Sequence, residues 1–479
     1  MKKLILLLML ALIGLSANAL TNVSGGIYSN TTWTLINSPY IVTDTVVVFP
    51  NVTLTIEPGV VVKFYDHKYI EVRNSTIIAN GNAVDSITFT SNSNNPTPGI
   101  WGATNYGGIY LNSALAGVSF NFINMKYATV GIYNGLPVFI KNSTFIYNQT
   151  GLNNISAPID SCIFEFNTYG INSIDQSLIS NCTFSNNTCG IGYLTSLTLV
   201  NCVVDSNGTG LGGNNGMDMV KIYNCTINYN QAGLIPDPCC GGGIIMKNCI
   251  IDNNSNYGLG LAGDGEPDSI VNCEFKYNGI GLISSSCPNG FGNNYGIITQ
   301  CIIDSNSIGI KVSGCMNIYC NKICNNTTYD LQNLMSSPRS LPNNYWCSTD
   351  SATIHSHIDD GYTNINLGLV SVFPIDSVEC YLNINTGINS PATNSNSIIS
   401  LYPNPTSGNF TITYHLNNNP KASFQIIDVT GRIVYTTAIS GTEGTQMISV
   451  PDLSNGIYYW EMITNNGIEG KGKIAVIKD

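Results

Sequence analysis

NCTFSNNTCGI (residues 181–191) recurs along the chain as NCVVDSNGTGL (201–211), NCTINYNQAGL (224–234) and NCEFKYNGIGL (272–282). The shared unit extends from residue 143 to residue 310, and cysteine begins seven of its copies at spacings of 20, 20, 23, 24, 24 and 28 residues. These cysteines are Cys162, Cys182, Cys202, Cys225, Cys249, Cys273 and Cys301. A period in the low twenties with β-type alternation predicts a solenoid in which each coil packs against its neighbours.

Positions within the unit have distinct predicted roles. A large apolar residue stands two positions after each cysteine, and alternation places both residues on the inward side of a strand. These apolar residues are Phe164, Phe184, Val204, Ile227, Ile251, Phe275 and Ile303. Because stacked coils lie ~4.8 Å apart, each position forms a column along the solenoid axis.

Asparagine always stands five positions after the cysteine, at Asn167, Asn187, Asn207, Asn230, Asn254, Asn278 and Asn306. Asn148 has the same position in the preceding unit, where Ser143 replaces the cysteine. Since asparagine tolerates the αL conformation and bonds backbone groups, we expect an inward ladder that closes each turn. A glycine follows in each unit, and we expect it to allow positive φ at the corner. These glycines are Gly151, Gly170, Gly190, Gly210, Gly233, Gly258, Gly281 and Gly309.

This repeat resembles that of the right-handed parallel β-helix proteins of the pectate-lyase-like group. The resemblance covers roughly residues 40–375, where TLTIEPGVVVKF (53–64) resembles the first coil and NNYWCSTDSATIHSHIDDGY (343–362) the closing segment. It implies an all-β, right-handed parallel β-helix and makes carbohydrate the expected ligand class.

Both ends of the chain indicate export. Residues 1–19 contain two lysines, an apolar run and Ala-Asn-Ala, which predict a secretory signal peptide. Near the other end, LYPNPTSGNFTI (401–412) and FQIIDVTGRIVY (424–435) predict a small antiparallel β-sandwich. This block resembles the type A C-terminal sorting domain of the type IX secretion system. The resemblance implies that the type IX secretion machinery is a partner of this chain. It also implies passage through the periplasm and outer membrane, and a secreted or cell-surface location.

The predicted organisation is a signal peptide (1–19), a β-helix with its two capping segments (20–380), a polar linker (381–397) and a sorting domain (398–479). No stretch after the signal peptide approaches 18 consecutive apolar residues, so the sequence predicts no transmembrane segment. Charged residues make up only 10% of the chain, with a net charge of −11. This composition argues against nucleic acid and anionic lipid as partners, whereas polysaccharide or another cell-surface glycan fits it.

The chain has 16 cysteines, which in an exported protein suggest disulfides. In the ladder, however, neighbouring Cβ atoms are expected ~4.8 Å apart, whereas a disulfide prefers ~3.8 Å. We therefore expect the ladder cysteines to be buried free thiols that act as small hydrophobic groups. Outside the ladder, the sequence suggests two disulfides, Cys287–Cys315 and Cys347–Cys380.

The outward position three residues after the cysteine carries Asp252, Lys276 and Asp304 in consecutive coils. Glycosidases use two carboxylates roughly 5–10 Å apart, so these three are candidate catalytic residues. The alternative is structural, because a lysine between two aspartates neutralises a charged column, a surface pairing worth ~0–1 kcal/mol.

Asp264, Glu266 and Asp268 alternate in the loop GLAGDGEPDS (260–269) and are candidate ligands for calcium, the one cofactor that the sequence suggests. The alternative for this loop is a solvated acidic turn. Longer insertions follow several coils, at 212–219, 235–243, 261–268 and 283–296, and insertions of this kind often form the binding face of a repeat protein. Tyrosines in or near them are candidates for stacking on sugars.

Two classes of function remain open. No arginine lies between Arg73 and Arg339, although pectate-lyase-like enzymes commonly use arginine or lysine to abstract a proton. We therefore favour a non-catalytic carbohydrate-binding or adhesive solenoid. The alternative is a polysaccharide lyase or glycoside hydrolase on the same scaffold.

Overall fold

The computed structural model describes residues 20–476 and 478, apart from residues 105, 136–137, 213–218, 236–242, 262–267, 285–295, 315, 380–397, 403, 405, 417–420, 429–432 and 465–466. The chain divides into two compact units, residues 1–385 and 386–479. Across the described residues, no helix is both long and apolar enough to cross a membrane.

The first unit is a parallel β-helix with three faces, which confirms the predicted fold. Face 1 holds the strands that precede the cysteine position, face 2 the strands between the cysteine and the ladder asparagine, and face 3 the strands that contain the corner glycine. In the described residues, face 1 is a 13-stranded sheet whose neighbours all pair in parallel. Its strands are Thr31–Trp33, Thr53–Ile56, Thr76–Asn80, Val118–Asn121, Val138–Lys141, Ile159–Asp160, Leu178–Ser180, Thr198–Val200, Val220–Tyr223, Ile244–Lys247, Ser269–Val271, Gly296–Thr299 and Met316–Tyr319.

Faces 2 and 3 are joined by the first strands of the unit, Thr21–Ile27 and Tyr40–Val48, each of which runs along both faces. The remaining strands of face 2 are Val61–Phe64, Ile87–Ser91, Ile123–Lys126, Thr144–Ile146, Ile163–Glu165, Thr183–Ser185, Val203–Asp205, Thr226–Asn228, Ile250–Asp252, Glu274–Lys276, Ile302–Asp304 and Lys322–Cys324. Those of face 3 are Ile70–Arg73, Ile109–Asn112, Val130–Gly135, Thr150–Ile155, Tyr169–Asp175, Cys189–Thr195, Thr209–Leu211, Ala232–Leu234, Tyr257–Leu261, Ile280–Ser284, Ile308–Val312, Tyr329–Asn333 and Ile358–Asp359.

Short elements complete this unit. A 3-10 turn, Leu35–Asn37, lies near its start, and a one-turn helix, Ser351–His355, lies in the closing segment. The Asp350 side chain accepts a hydrogen bond from the Thr353 N–H at the start of that helix. Arg339–Ser340 and Val370–Ser371 form a two-stranded parallel pair.

The core consists of stacked columns, as alternation predicts. Phe145, Phe164 and Phe184 lie in register in successive coils, and their ring centroids are 5.0 and 4.8 Å apart. All three side chains are fully buried. Parallel stacking of this kind removes large aromatic surfaces from water and fixes the register of neighbouring coils.

The asparagine ladder is a continuous chain of hydrogen bonds. The Asn187 N–H and Nδ2 both donate to Asn207 Oδ1, each at 3.0 Å, and Nδ2 also donates to the Phe164 carbonyl at 2.9 Å. The αL conformation, however, belongs to the residue before the ladder position, as at Asn186 with φ 55°. The side chain of the ladder residue thus points inward, while the residue before it makes the turn.

The corner glycines have a different role from the predicted one, because they do not have positive φ. A Cβ added at Gly190 would lie 2.5 Å from the carbonyl oxygen of Gly210 in the next coil. The same contact, at the same distance, recurs between Gly170 and Gly190. Glycine is required here because backbones of successive coils approach closely, not because the corner needs an unusual φ.

The seven ladder cysteines are buried free thiols. They also form hydrogen bonds, which the prediction of simple hydrophobic groups missed. The Cys162 N–H donates to Cys182 Sγ at 3.3 Å, and Cys182 Sγ donates to the Ser180 carbonyl at 3.1 Å. In the last coils asparagine replaces cysteine, and the Cys301 N–H donates to Asn321 Oδ1 at 3.0 Å. The thiol therefore occupies the place of a polar ladder side chain.

One disulfide differs from the prediction. Cys347 is bonded to Cys324, whose Cα lies 5.9 Å away, so the predicted Cys347–Cys380 pairing is wrong. Cys324 ends the last strand of face 2, and the fold rather than the sequence spacing brings it beside the closing segment. Cys380 and both members of the predicted Cys287–Cys315 pair lie outside the described residues.

The second unit is a small antiparallel β-sandwich, as predicted. One sheet contains Ile398–Tyr402, Asn409–His415 and Glu443–Ser449. The other contains, in spatial order, Ile433–Ser440, Lys421–Ile427, Gly456–Thr464 and Gly467–Val476. Buried Phe410 of the first sheet packs against buried Phe424 of the second, with ring centroids 6.2 Å apart.

Candidate functional site

The structure brings the predicted catalytic residues into one column on the outward side of face 2. Asp252 pairs with Lys276, and Lys276 pairs with Asp304, in strands of three successive coils. None of the three is fully exposed, and Asp304 is buried at 7% exposure. We call these residues, together with Glu274 and Lys322 beside them, the acidic column.

Contacts within and between coils occupy the polar groups of the column. Asp252 Oδ1 accepts the Lys276 N–H at 2.9 Å, and the Lys276 ammonium pairs with Glu274 at 2.8 Å rather than with either aspartate. The Asp304 carboxylate pairs with Lys322 at 3.2 Å and accepts the Ser305 hydroxyl at 2.7 Å. Sequence reasoning missed Glu274 and Lys322, since register gives the column but not the direction in which long side chains extend.

The two aspartates differ in protonation. Burial raises the pKa of Asp252 to about 7, and the charge of Glu274 adds to the effect. Burial also favours a higher pKa at Asp304, but hydrogen bonds from Ser305, Asn325 and Lys322 outweigh it and hold that pKa below its usual value. The column thus contains one carboxyl group that titrates near neutrality and one that stays ionised.

Of the predicted calcium ligands, Asp264 and Glu266 lie outside the described residues. Asp268 is buried, and its Oδ1 accepts the Ile244 N–H at 2.8 Å. Burial raises the pKa of Asp268 to about 7. In the part of the chain that the structure describes, no three His, Cys, Asp or Glu side chains are grouped so as to hold a metal ion. The role that the structure gives Asp268 is to bond a backbone N–H of the neighbouring coil.

Most of each predicted binding insertion also lies outside the described residues. Among the nearby tyrosines, Tyr229 and Tyr277 are the most exposed, at 62% and 61%. Both have positive φ at the turn before a ladder asparagine. Their backbone role is therefore to make the turn, and their rings project into solvent.

A further group of side chains lies on the outward side of face 3 in the first coils, and we call it the tyrosine strip. Its members are Glu71, Arg73, Tyr106, Tyr110, Asn112 and Tyr133. The rings of Tyr106 and Tyr110 stack with centroids 4.7 Å apart, and Tyr133 lies 5.7 Å from Tyr110 in the next coil. Tyr106 is 44% exposed, and Tyr110 and Tyr133 are partly exposed.

A closed ion pair lies at one end of the tyrosine strip. The Glu71 carboxylate accepts Arg73 Nε at 2.9 Å and Arg73 Nη2 at 2.7 Å, and it also accepts Asn112 Nδ2 at 2.7 Å. Bonding to Arg73 lowers the pKa of Glu71 in spite of its burial. The Arg73 guanidinium also lies over the Phe49 ring, 5.5 Å from its centroid. These contacts fix the pair in place.

Sequence reasoning missed the tyrosine strip because the first coils lack the cysteine that marks the repeat. One signal was present, since Gly-Ile-Tyr occurs at both 108–110 and 131–133. Aligning these triplets places Tyr110 beside Tyr133 in successive coils, as the structure does.

Comparisons with known proteins match three stretches of the chain. Residues 25–117 match the family model of the pectate-lyase like beta helix domain, residues 178–271 that of the right handed beta helix region, and residues 400–477 that of the secretion system C-terminal sorting domain. No curated protein matches the chain at a significant level.

Solved structures with similarity to the chain include the pectate lyase Pel9A, at 15% identity and a TM-score of 0.35, over 57% of this chain and 71% of that one. They also include the A-module of the Azotobacter vinelandii mannuronan C-5 epimerase AlgE4, at 13% identity and a TM-score of 0.31, over 76% of this chain and 89% of that one.

Proposed function

Since this chain is an exported right-handed parallel β-helix protein of the pectate-lyase-like group with a type IX secretion C-terminal sorting domain, we propose that it binds uncharged polysaccharide outside the cell without cleaving it. The fold alone does not decide between binding and catalysis, because one scaffold hosts many functions. The candidate catalytic groups are engaged in ion pairs and hydrogen bonds of their own, and this supports binding over catalysis.

The observation that carries this proposal is the engagement of the acidic column in its own contacts. A lyase needs a free base next to the substrate, but the Lys276 ammonium is paired with Glu274 at 2.8 Å. A hydrolase needs a second carboxylate free to act on water or sugar, but Asp304 is buried and bonded to Lys322 and Ser305. These contacts leave neither the Lys276 ammonium nor the Asp304 carboxylate free to act as a base or an acid.

A variant of the acidic column tests this proposal. Asp252→Asn, Lys276→Met and Asp304→Asn are combined in the full chain, and binding to galactomannan and mixed-linkage glucan is measured by affinity electrophoresis. We expect the variant to bind as wild type does, with thermal unfolding showing that it is folded. Loss of binding in the folded variant would place the ligand on the column, whereas release of polysaccharide chain ends by wild type that the variant lacks would contradict the proposal.

The second candidate function, a glycoside hydrolase, is favoured by one observation. Asp252, with a pKa of about 7, and ionised Asp304 stand two coil steps apart, or about 9.6 Å at ~4.8 Å per step. Inverting glycosidases place their acid and base ~6.5–9.5 Å apart, so this backbone spacing lies at the upper limit of their range, and they keep the acid protonated near neutrality. Release of reducing ends that falls above pH 7 in wild type and is abolished in Asp252→Asn would establish this alternative.

The maturation of the chain follows from the same proposal. We place the signal peptide at residues 1–19, the linker at 381–397 and the sorting domain at 398–479, with export through the periplasm and outer membrane. Mass analysis of the secreted or surface-bound protein from its host tests this scheme. A mature chain that begins near residue 20 and ends near residues 381–397 is expected, and a chain that retains residues 1–19 would contradict it.

A further inference from the structure

We propose that the tyrosine strip is the site that binds polysaccharide and that it takes an extended, uncharged glycan chain lying along the solenoid axis. This inference rests on the proposed function and adds the site, the ligand class and the direction of the chain. It concerns face 3 in the first coils, whereas the acidic column lies on face 2 of later coils.

The shape of the strip fits a linear polymer. Glu71, Tyr110 and Tyr133 pair in register in successive coils, and Asn153 and Asn172 extend the same outward line. Because Glu71 is buried, the exposed part of this line runs from Tyr110 to Asn172 and spans three steps, or about 14 Å at ~4.8 Å per step. A straight track of this length contacts several sugars of an extended chain rather than one small ligand.

The groups on the strip match the hydroxyls of a glycan. Burial raises the pKa of Tyr110, and the charge of Glu71 adds to it, so this phenol stays protonated and can donate as well as accept. The amides of Asn153 and Asn172 have the same dual capacity and already bond to each other at 3.4 Å. Aromatic rings between these groups supply apolar area for the C–H faces of sugars.

The charge of the strip selects against acidic polymers. Its carboxylate and guanidinium form a closed bidentate pair, so Arg73 presents its charge together with that of Glu71. The chain as a whole carries a net charge of −11, which repels polyanions. The strip therefore offers no free positive charge to attract an acidic polymer, and the negative charge of the chain does not repel an uncharged glycan.

The structure contains a matched control surface. Tyr127, Tyr147 and Phe166 form another stack of rings along the axis, with centroids 5.8 and 5.2 Å apart. Tyr147 is 39% exposed, close to the 44% of Tyr106. This stack lies at the corner between faces 2 and 3. A variant of Tyr147 therefore shows what loss of an exposed stacked ring does to binding when the tyrosine strip is intact.

The experiment uses the full chain and two uncharged polysaccharides, galactomannan and mixed-linkage glucan, with polygalacturonate as the acidic comparison. Affinity electrophoresis measures Tyr110→Ala, Tyr133→Ala, Tyr133→Phe and the control Tyr147→Ala. We expect Tyr110→Ala and Tyr133→Ala each to weaken binding about tenfold, which corresponds to ~1.4 kcal/mol of binding free energy. We expect Tyr133→Phe to lose part of this and Tyr147→Ala to bind as wild type.

Each other outcome has a defined meaning. Wild-type binding that survives both alanine variants, with thermal unfolding unchanged, overturns the strip and leaves the proposed function standing. Equal losses in Tyr147→Ala and Tyr133→Ala overturn the strip as the specific site. Equal binding of polygalacturonate overturns the ligand class. A wild-type chain that binds none of the three polymers overturns the proposed function itself.

Discussion

Contacts between successive coils determine which residue each position of the repeat can carry. The ladder asparagine needs both an acceptor and a donor, because Asn187 Oδ1 accepts the Asn167 N–H while Asn187 Nδ2 donates to the Phe164 carbonyl. The corner glycine needs no Cβ, because the carbonyl of Gly210 fills that space above Gly190. The cysteine accepts an N–H and donates to a carbonyl, and the Asn321 side chain does the same, accepting the Cys301 N–H and donating to the Ile298 carbonyl.

The corner glycine gives a prediction that distinguishes two reasons for glycine at this position, close approach of the backbones and a need for positive φ. Gly190→Ala places a Cβ 2.5 Å from the Gly210 carbonyl oxygen and should destabilise the chain by ~1–3 kcal/mol. Gly190→Asn should cost at least as much, since close approach excludes any side chain. Thermal and urea unfolding measure both, with exposed Thr188→Ala as a control expected within ~0.5 kcal/mol of wild type. Tolerance of Gly190→Asn alone would favour the positive-φ account instead.

Asp252 and Asp268 predict how stability depends on pH. Their pKa values are about 7 in the folded chain, against ~3.9 for an aspartate in an unfolded chain. Between these values the folded state keeps protons that the unfolded state has lost, so stability is highest near pH 4 and falls as pH rises to about 7. Above that pH the folded state has lost the stabilisation that these protonated carboxyl groups gave it, and stability no longer changes with their titration.

The test is thermal unfolding from pH 4 to pH 8 in Asp252→Asn, Asp268→Asn and the control Asp205→Asn. Asparagine keeps an oxygen to accept the Lys276 or Ile244 N–H but has no proton to lose. We expect the first two variants to unfold at higher temperature than wild type at pH 8 and to show a flatter pH dependence. Variants whose pH profiles match wild type would show that these carboxyl groups do not titrate in this range.

Elements that repeat could be predicted from the sequence, and elements defined by single contacts could not. Alternation around Cys182 and Phe184 predicts a face 2 strand because one residue type faces in at each position. The partner of Cys347 depends on how the closing segment returns to the last coil, which no repeat encodes. The tyrosine strip was missed for a similar reason, because Tyr110 and Tyr133 lie in coils without the cysteine marker. Lys276 was placed in the right column, but its pairing with Glu274 depends on side-chain rotamers.

Removal of the Cys324–Cys347 disulfide is predicted to lower the free energy of unfolding, because this bond ties the closing segment to the last coils. The two cysteines are 23 residues apart, and cross-linking a loop of this order stabilises a protein by about 3 kcal/mol. Cys324→Ser and Cys347→Ser should each lose this stabilisation, and the double variant should lose no more, since either change removes the same bond. Urea unfolding under non-reducing conditions measures all three. Single variants as stable as wild type, or losses that add in the double variant, would contradict the assignment.

At the scale of the whole molecule, two units with separate cores serve separate tasks. The sorting domain directs export, and the β-helix presents long polar faces outside the cell. Low charge, a column of internally paired carboxyl groups and a strip of tyrosines and amides all fit retention of a neutral polymer. Among the described residues, only the Asp252–Asp304 pair could combine an acid with a base at one point on the surface. Asp304 is not free for that role, because it is bonded to Lys322.

The most direct measurement incubates the full wild-type chain with galactomannan and mixed-linkage glucan and reads polymer binding and newly formed reducing or unsaturated ends in the same samples. The account predicts saturable binding with no increase in chain ends over prolonged incubation between pH 5 and pH 8. Release of chain ends that is lost in Asp252→Asn would contradict non-catalytic binding and establish an enzyme. Absence of both binding and product would contradict the polysaccharide-binding function altogether.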